Sequence, residues 1–260
     1  MDKPISMTMI SLGAGVQSTA LALMSLSGEL PPVQYIVFAD THFDPPSTYD
    51  TIEYIRHHAA GKSTVVVVDG GDIRNDIGVM PMHYQSGCGM RHRICTTKHK
   101  IQPLHKFIRE TMGADWRKLR CEQWLGISAD EFMRAKPSRV KYVINRFPLL
   151  EREWDRQDCI NWLKANRHPV PEKSACISCP YRNRQTWEEM AKRYPDMVHD
   201  AMRLERVINE DRAAKGLPEE IYFHRALKPL DSLNLINPTA SMFDDETDLF
   251  DNECDGVCGL

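Results

Sequence analysis

Several absences narrow this 260-residue sequence before any motif is read. No apolar run approaches the length needed to cross a bilayer, which excludes a helical membrane protein. Met1 to Ser6 has no charged, then apolar, leader character, so the expected location is cytoplasmic and no membrane partner is expected. There is no internal repeat and no low-complexity segment, which excludes solenoids and disordered arrays. The G-x-x-x-x-G-K-[ST] phosphate loop is missing, and so are the G-x-G-x-x-G dinucleotide fingerprint and a nucleophile elbow. No Lys or Arg follows Lys228. What remains is ordinary for a soluble domain, with 42% hydrophobic and 27% charged residues. The length suffices for one large domain, or one with a smaller appendage.

Strand and helix patterns alternate along the first half. "MTMISL" (7–12), "PVQYIVFAD" (32–40) and "KSTVVVVD" (62–69) read as buried strands, and "EQWLGIS" (122–128) as a fourth. "QSTALALMSL" and "PSTYDTIEYIRHHAA" read as helices between them. Apolar strands without alternation, separated by helices, predict a parallel α/β sheet with both faces covered. Beyond about Arg146 the pattern becomes helical, in "EWDRQDCINWLKAN" and "TWEEMAKRYPDMVHDAMRLERVINEDRAA", and ends in an irregular acidic stretch. The expected organisation is a nucleotide-type α/β core over residues 1–146. Residues 147–260 form a mainly helical, cysteine-containing C-terminal part that is not expected to fold alone.

Charge is unevenly laid out. Arg91 to Lys141 carries 13 Lys/Arg against 5 Asp/Glu, and Asp244 to Asp255 carries seven acids, although the formal net charge is only −3. The basic stretch fits either a solvated face or a polyanion, whether nucleotide or nucleic acid. Eight cysteines without a leader argue against a disulfide framework and for metal or redox chemistry. Cys176-x-x-Cys179 reads as a metal half-site, a redox dithiol or two unrelated thiols. Cys121 and Cys159 fall within apolar strand and helix patterns and read as core thiols.

The first strand runs into "SLGAGVQST", Ser11 to Thr19. A glycine turn opening a helix presents backbone N–H groups and the helix dipole to an anion, and Ser18 and Thr19 add hydroxyl donors. Without a ligand the same turn is a plain strand–helix connection. The second strand ends in Asp40-Thr41, and His42 just beyond it lies near any bound nucleotide by topology, as an acid–base group or a packing residue.

Taken together, these segments resemble the PP-loop ATP pyrophosphatases, and within them the phosphoadenylyl-sulfate (PAPS) reductase family. Gly15 and Ser18 match the family's S-G-G-x-D-S loop, in which Gly13, Ala14 and Gln17 replace the first Ser, the first Gly and the Asp. Asp40, Thr41 and Thr48 match its D-T-G-[YF]-x-x-x-E-T stretch, with His42 for the Gly and Ser47 for the Glu. "CTTKHKIQPL" (95–104) looks like C-C-x-x-x-K-[VI]-x-P-L, with Thr96 for the second Cys. "LGISADEFMR" (125–134) looks like G-x-R-x-x-E-x-x-R, with Ser128 for the first Arg. "PLLEREWDRQDCINWL" and "SACISCP" follow in the family's order, so the resemblance covers roughly residues 7–180.

The resemblance implies an adenine nucleotide α-hydrolase-like, Rossmann-like parallel sheet with the nucleotide across the strand C-termini. It implies ATP (or PAPS) with Mg²⁺, held by Ser11, Gly13, Ala14, Gly15, Gln17, Ser18, Thr19, Asp40, Thr41 and Gly126. Ser18, Asp40, Lys100, Arg134 and Cys254 are the implied catalytic residues. A [4Fe–4S] cluster is implied on Cys95, Cys176 and Cys179, with Cys258, Cys254, Cys88 or no residue as fourth ligand; zinc on the same thiolates is the alternative. The tail "NECDGVCGL" begins like the reductases' E-C-G-[IL]-H but lacks its His.

Three functions follow as expectations. The first is ATP-dependent sulfur transfer to a nucleic acid, tRNA or DNA, through an adenylated acceptor, with a cysteine desulfurase as sulfur source. The second is PAPS or adenylyl-sulfate reduction, with a thioredoxin-like donor. The third is a non-catalytic nucleotide-binding subunit.

Overall fold

The computed structural model describes residues 3–217 and 219–236. In chain order the elements are β1 (Ile5–Leu12), α1 (Val16–Ser27), β2 (Tyr35–Asp40), α2 (Pro46–Ala59), β3 (Thr64–Asp69), β4 (His83–Tyr84), α3 (Gln102–Met112), β5 (Arg120–Leu125), β6 (Val143–Arg146), α4 (Pro148–Glu151), α5 (Arg156–Ala165), α6 (Arg184–Arg193), α7 (Pro195–Ala214) and β7 (Ile221–Tyr222). A π-helical turn, Thr97–Ile101, leads into α3.

The chain forms two compact units that interleave in sequence. Residues 3–71 and Thr96–Ala175 make the first, and Asp72–Cys95 with the described residues from Cys176 onward make the second. A single cut at residue 146 does not describe this division: α4 and α5 belong with the sheet, and Asp72–Cys95 does not.

The first unit is a five-stranded sheet of order β3-β2-β1-β5-β6, parallel throughout. The fold is α/β and Rossmann-like. Strand order reverses between β1 and β5, since the chain steps outward to β2 and β3 on one side and to β6 on the other. Ligands of open parallel sheets bind outside the strand C-termini at such a switch point.

Alternation along the strands gives the sheet two unlike faces. On one, Ile10, Leu12, Ile36, Phe38 and Trp124 pack with α1, Ile52 and Ile55 of α2, and Cys159 and Leu163 of α5. On the other, Met9, Val37, Cys121 and Val143 pack under Leu104 and Ile108 of α3. Cys121 and Cys159 are the core thiols the sequence suggests, and burial pushes each up to about 12.

Three differences from the sequence reading have simple causes. The fourth strand of the sheet covers 120–125, because Gly126 to Ser128 turns over the glycine loop instead of extending. A fifth strand, Val143–Arg146, has only four residues and gives almost no periodicity to read. The long C-terminal helix is two helices, since Pro195 has no N–H to donate and opens α7 as a new first turn.

In the second unit, β4 and β7 pair antiparallel, and α6 packs on α7. Among the described residues, no helix is long and apolar enough to cross a membrane.

Candidate functional site

The glycine loop joins β1 to α1 at the switch point. Ala14 takes a left-handed φ of 59°, and Gly15 is the helix N-cap, without a side-chain cap. The first N–H groups of α1 therefore have no capping side chain, the arrangement that attracts an anion. Thr19 N–H closes the first helical bond to the Gly15 carbonyl at 3.0 Å. Ser18 Oγ accepts from Gly13 N–H at 3.2 Å and donates to the Gly15 carbonyl at 3.3 Å, so this hydroxyl braces the loop. Ser174 donates to the Gly13 carbonyl from the far end of the unit's sequence.

Gly126 explains how closely β5 approaches. A Cβ there would lie 2.8 Å from both Cα and N of Ser18, so only glycine lets the two turns meet. Gln17 is 1% exposed; its Nε2 donates to Ser128 Oγ at 3.3 Å, while its Oε1 has no hydrogen-bond partner. Thr19 Oγ1 is likewise buried without a partner.

Asp40 ends β2. Its Oδ1 accepts from His42 N–H and from Tyr49 O–H, both at 2.8 Å. Burial, and then this bond to Asp40, push the Tyr49 phenol above its ordinary range. His42 has a left-handed φ of 57°, and its Nε2 lies 2.9 Å from Asp69 Oδ1 at the end of β3. That bond, with Gly71 N–H, holds the Asp69 carboxyl below the usual carboxylate range. Thr41 is fully buried and donates to Asp44 Oδ2 at 2.7 Å, whereas Asp44 Oδ1 is buried without a partner. Asp40 and Thr41 thus lock the turn between β2 and α2.

Beside these loops a cavity of about 230 Å³ opens on the α3 face of the sheet. Ser11, Ala39, Gln123 and Asn145 line it from the strands, Lys100 and His105 from the π-helical turn and α3, and Ser138 and Arg139 from the loop before β6. The turn is pinned by His99, whose Nδ1 faces the Gly70 and Gly71 carbonyls at 2.7 and 3.2 Å. A Cβ at Gly70 would collide with the His99 and Asp40 carbonyls at 2.2 and 2.5 Å. Burial, then the neighbouring Arg109, depress the His105 pKa, which favours a neutral imidazole at the cavity wall.

Two carboxamides stand side by side on the floor. Gln123 and Asn145 are register partners on β5 and β6, and parallel partners share a face. Gln123 is 5% exposed and its Oε1 has no partner. Asn145 Nδ2 donates to the Lys136 carbonyl at 3.0 Å, which leaves Oδ1 as that amide's acceptor.

Of the residues expected at the site, Ser11, Gly13 and Lys100 line the cavity. Ala14, Gly15, Gln17, Ser18 and Thr19 form the adjoining loop, with Gly126 packed on it. The Arg134 guanidinium is tied to Glu131, a carboxylate 6% exposed. Gln123, Asn145 and His105 escaped the sequence reading. The signal for Gln123 is a glutamine that alternates with Cys121 and Leu125 on the buried side of its strand.

The cysteines expected to bind metal lie in the second unit or outside the described residues. Cys179 N–H donates to the Cys176 carbonyl at 3.0 Å, a tight turn, and Arg182 donates to the same carbonyl at 3.3 Å. Cys95 N–H donates to the Val79 carbonyl at 3.0 Å. Among the described residues, no group of three or more His, Cys, Asp or Glu side chains is placed to hold a metal ion. Cys254 and Cys258 lie outside the described residues.

No family model and no curated protein matches this sequence. Among solved structures, seventeen chains match. One is the crystal structure of phosphoadenylyl-sulfate (PAPS) reductase from Candida auris in complex with phosphate. It superposes with a TM-score of 0.43 and 16% identity over 64% of this chain and 75% of that one.

Proposed function

We propose that the first unit binds an adenine nucleotide, and that the chain is a PAPS reductase-like enzyme that activates an acceptor by splitting ATP. The observation that carries this reading is the cavity floor. A buried carboxamide oxygen without a partner is unfavourable by roughly 1–3 kcal/mol, and a ligand donor relieves it. Gln123 Oε1 and Asn145 Oδ1 are two neighbouring acceptors, and the exocyclic amine of adenine brings two N–H donors. Guanine would present a carbonyl oxygen to the same pair. Lys100 and Arg139 at the wall, and the open N–H groups of α1, supply the complement to the phosphates.

In the reaction, an acceptor oxygen attacks the α-phosphorus. The bond from that phosphorus to the bridging oxygen of the β-phosphate breaks, and pyrophosphate leaves with the electron pair. The acceptor loses its proton and carries AMP. A sulfur nucleophile then displaces AMP. The loop's contribution is to hold donors in place where the departing pyrophosphate gathers charge, without reorganising. Neutral His105, which lines the cavity, is the imidazole able to accept the acceptor's proton.

The finer reading takes a nucleic acid as acceptor and assigns Cys95, Cys176 and Cys179 to handling sulfur. The donor set does not complete a cluster or zinc site among the described residues. Gln17 favours a second reading, PAPS reduction: a neutral amide stands where the resembling ATP-splitting loops carry Asp.

One experiment separates them. Protein purified without oxygen is assayed for pyrophosphate release from ATP with RNA or DNA, and for sulfite release from PAPS. Iron, sulfide and zinc are measured on the same sample. Nucleic-acid-dependent pyrophosphate is the expected product, and sulfite without pyrophosphate overturns the ATP reading.

A further inference from the structure

The loop between β5 and β6 carries features that the nucleotide site does not use. Phe132 and Met133 are adjacent and stand 60% and 74% exposed. Scattered exposed apolar residues are normal on any surface. Here they are consecutive, and the segment beneath them is fixed. Ala129 N–H donates to the Trp154 carbonyl at 2.7 Å, and Glu131 N–H to the Ser128 carbonyl at 2.9 Å. Asp130 accepts from Arg156 N–H at 3.2 Å. Buried Glu131 clasps Arg134, and Ala135 N–H closes the turn on the Phe132 carbonyl at 3.0 Å. The two apolar side chains are therefore held outward by an anchored turn.

After them along the chain the charge is of one sign. From Phe132 to Leu150 there are five Lys/Arg and no Asp or Glu. Arg134 and Arg146 are engaged by Glu131 and Glu151. Lys136, Arg139 and Lys141 are exposed, and among the described residues none of them meets a carboxylate. The Lys136 backbone is pinned by Asn145, and Ser138 and Arg139 line the cavity. One short segment thus runs from an exposed aromatic–thioether pair, past unpaired cations, into the nucleotide cavity.

We propose that this loop is the docking surface for an unpaired segment of RNA, the acceptor strand of the reaction above. The proposal rests on that reading of the cavity. Unpaired cations fit a phosphate backbone, and an exposed Phe ring beside them fits the face of an unstacked base. An acidic protein would use the cations but leave Phe132 without a π-face to meet. Duplex DNA keeps its bases stacked and offers no such face, whereas RNA loops splay theirs. Arg139 then belongs to both parts, and strand and nucleotide meet at the cavity mouth.

The test is fluorescence anisotropy with a labelled RNA hairpin bearing an unpaired loop. The same strand fully paired, the single-stranded DNA of that sequence and a DNA duplex serve as competitors. Phe132→Ala is expected to weaken hairpin binding by about 5- to 150-fold, the range for one stacked base, and Phe132→Trp to retain it. Lys136→Glu with Lys141→Glu is expected to weaken it at least tenfold and to lower the salt slope by about 1.4, for two phosphate contacts on a single strand. ATP binding, followed by calorimetry on the same variants, is expected to stay at the wild-type value, which also shows that they fold. Hairpin binding that ignores all these substitutions overturns the proposal. So does tighter binding of either DNA, or wild-type protein that binds ATP but no RNA at low salt. Wild-type protein that fails to bind ATP instead overturns the reading of the cavity.

Discussion

Two buried polar side chains, one in each unit, show how differently the same kind of residue is used. In the second unit Glu205 on α7 is 3% exposed, and both its oxygens are taken: Oε1 by Phe223 N–H and Oε2 by Leu230 N–H, each at 2.7 Å. In the first unit Gln123 on β5 is 5% exposed, and its Oε1 is not taken at all. A buried polar group whose bonds all go to backbone is architecture, because it satisfies amides that folding removed from water. A buried polar group with an unused acceptor beside a cavity marks a place where something else completes the bonding. If this comparison holds, removing Glu205 damages the fold and spares the nucleotide, and removing Gln123 does the reverse.

The largest effect is expected at Glu205. Glu205→Ala leaves two buried N–H donors without an acceptor, at roughly 1–3 kcal/mol each. Stability should fall by about 2–6 kcal/mol, read from the urea midpoint, which is a large share of the stability of a domain. ATP affinity of the protein that remains folded should stay close to wild type. A variant that keeps its midpoint would show that these amides find other partners and would erase the contrast.

The same residue gives a smaller, pH-dependent effect. Burial, with Asp231 and Glu220 nearby, raises the Glu205 carboxyl to about 7, against an ordinary value of 4.5, although its two amide bonds pull the other way. The folded state therefore holds a proton that the unfolded chain has already released between pH 4.5 and 7. Stability from this group is full below about 4.5 and is lost as pH rises through about 7. Over that window the loss is roughly 3 kcal/mol. Glu205→Gln cannot titrate, so its urea midpoint should fall less between pH 5 and 7.5 than that of the wild type. Parallel pH profiles would show that the group does not titrate there.

How much of this was legible in the sequence follows from the same contrast. The sheet was legible where β-branched and apolar runs such as Val65–Val68 and Ile36–Ala39 left no other period to read. Leu104 and Ile108 show why α3 was not: "CTTKHKIQPL" reads as a cysteine and lysine motif, while the helix itself begins only at Gln102. The glycine loop was legible as a phosphate-type turn, but the bracing of Gly13 by Ser18 and Ser174 depends on contacts across the fold. Arg134 is a catalytic residue by resemblance, and spacing does not reveal that Glu131, three residues earlier, is buried and paired with it. Gln123 was legible only as a polar residue in a strand. Its meaning depends on Asn145, which lies in a strand too short to detect and becomes its neighbour only through sheet register.

Gln123→Met is expected to have the smallest energy and the sharpest meaning. Methionine has nearly the same length, fills the same space and carries no amide, so the unpartnered oxygen is removed along with its unfavourable burial. Thermal stability should hold or rise slightly. ATP affinity should fall about tenfold, equivalent to about 1.4 kcal/mol, because the adenine amine loses one of its two acceptors. GTP affinity should not fall with it, since the carbonyl of guanine gained nothing from Gln123, so the preference for ATP over GTP narrows. Calorimetric titration of both nucleotides against wild type and variant reads all three quantities. A variant that loses stability while binding ATP as before would place Gln123 with Glu205, as a residue that serves the fold. A variant that keeps its stability and loses the preference would place the base on the floor made by β5 and β6.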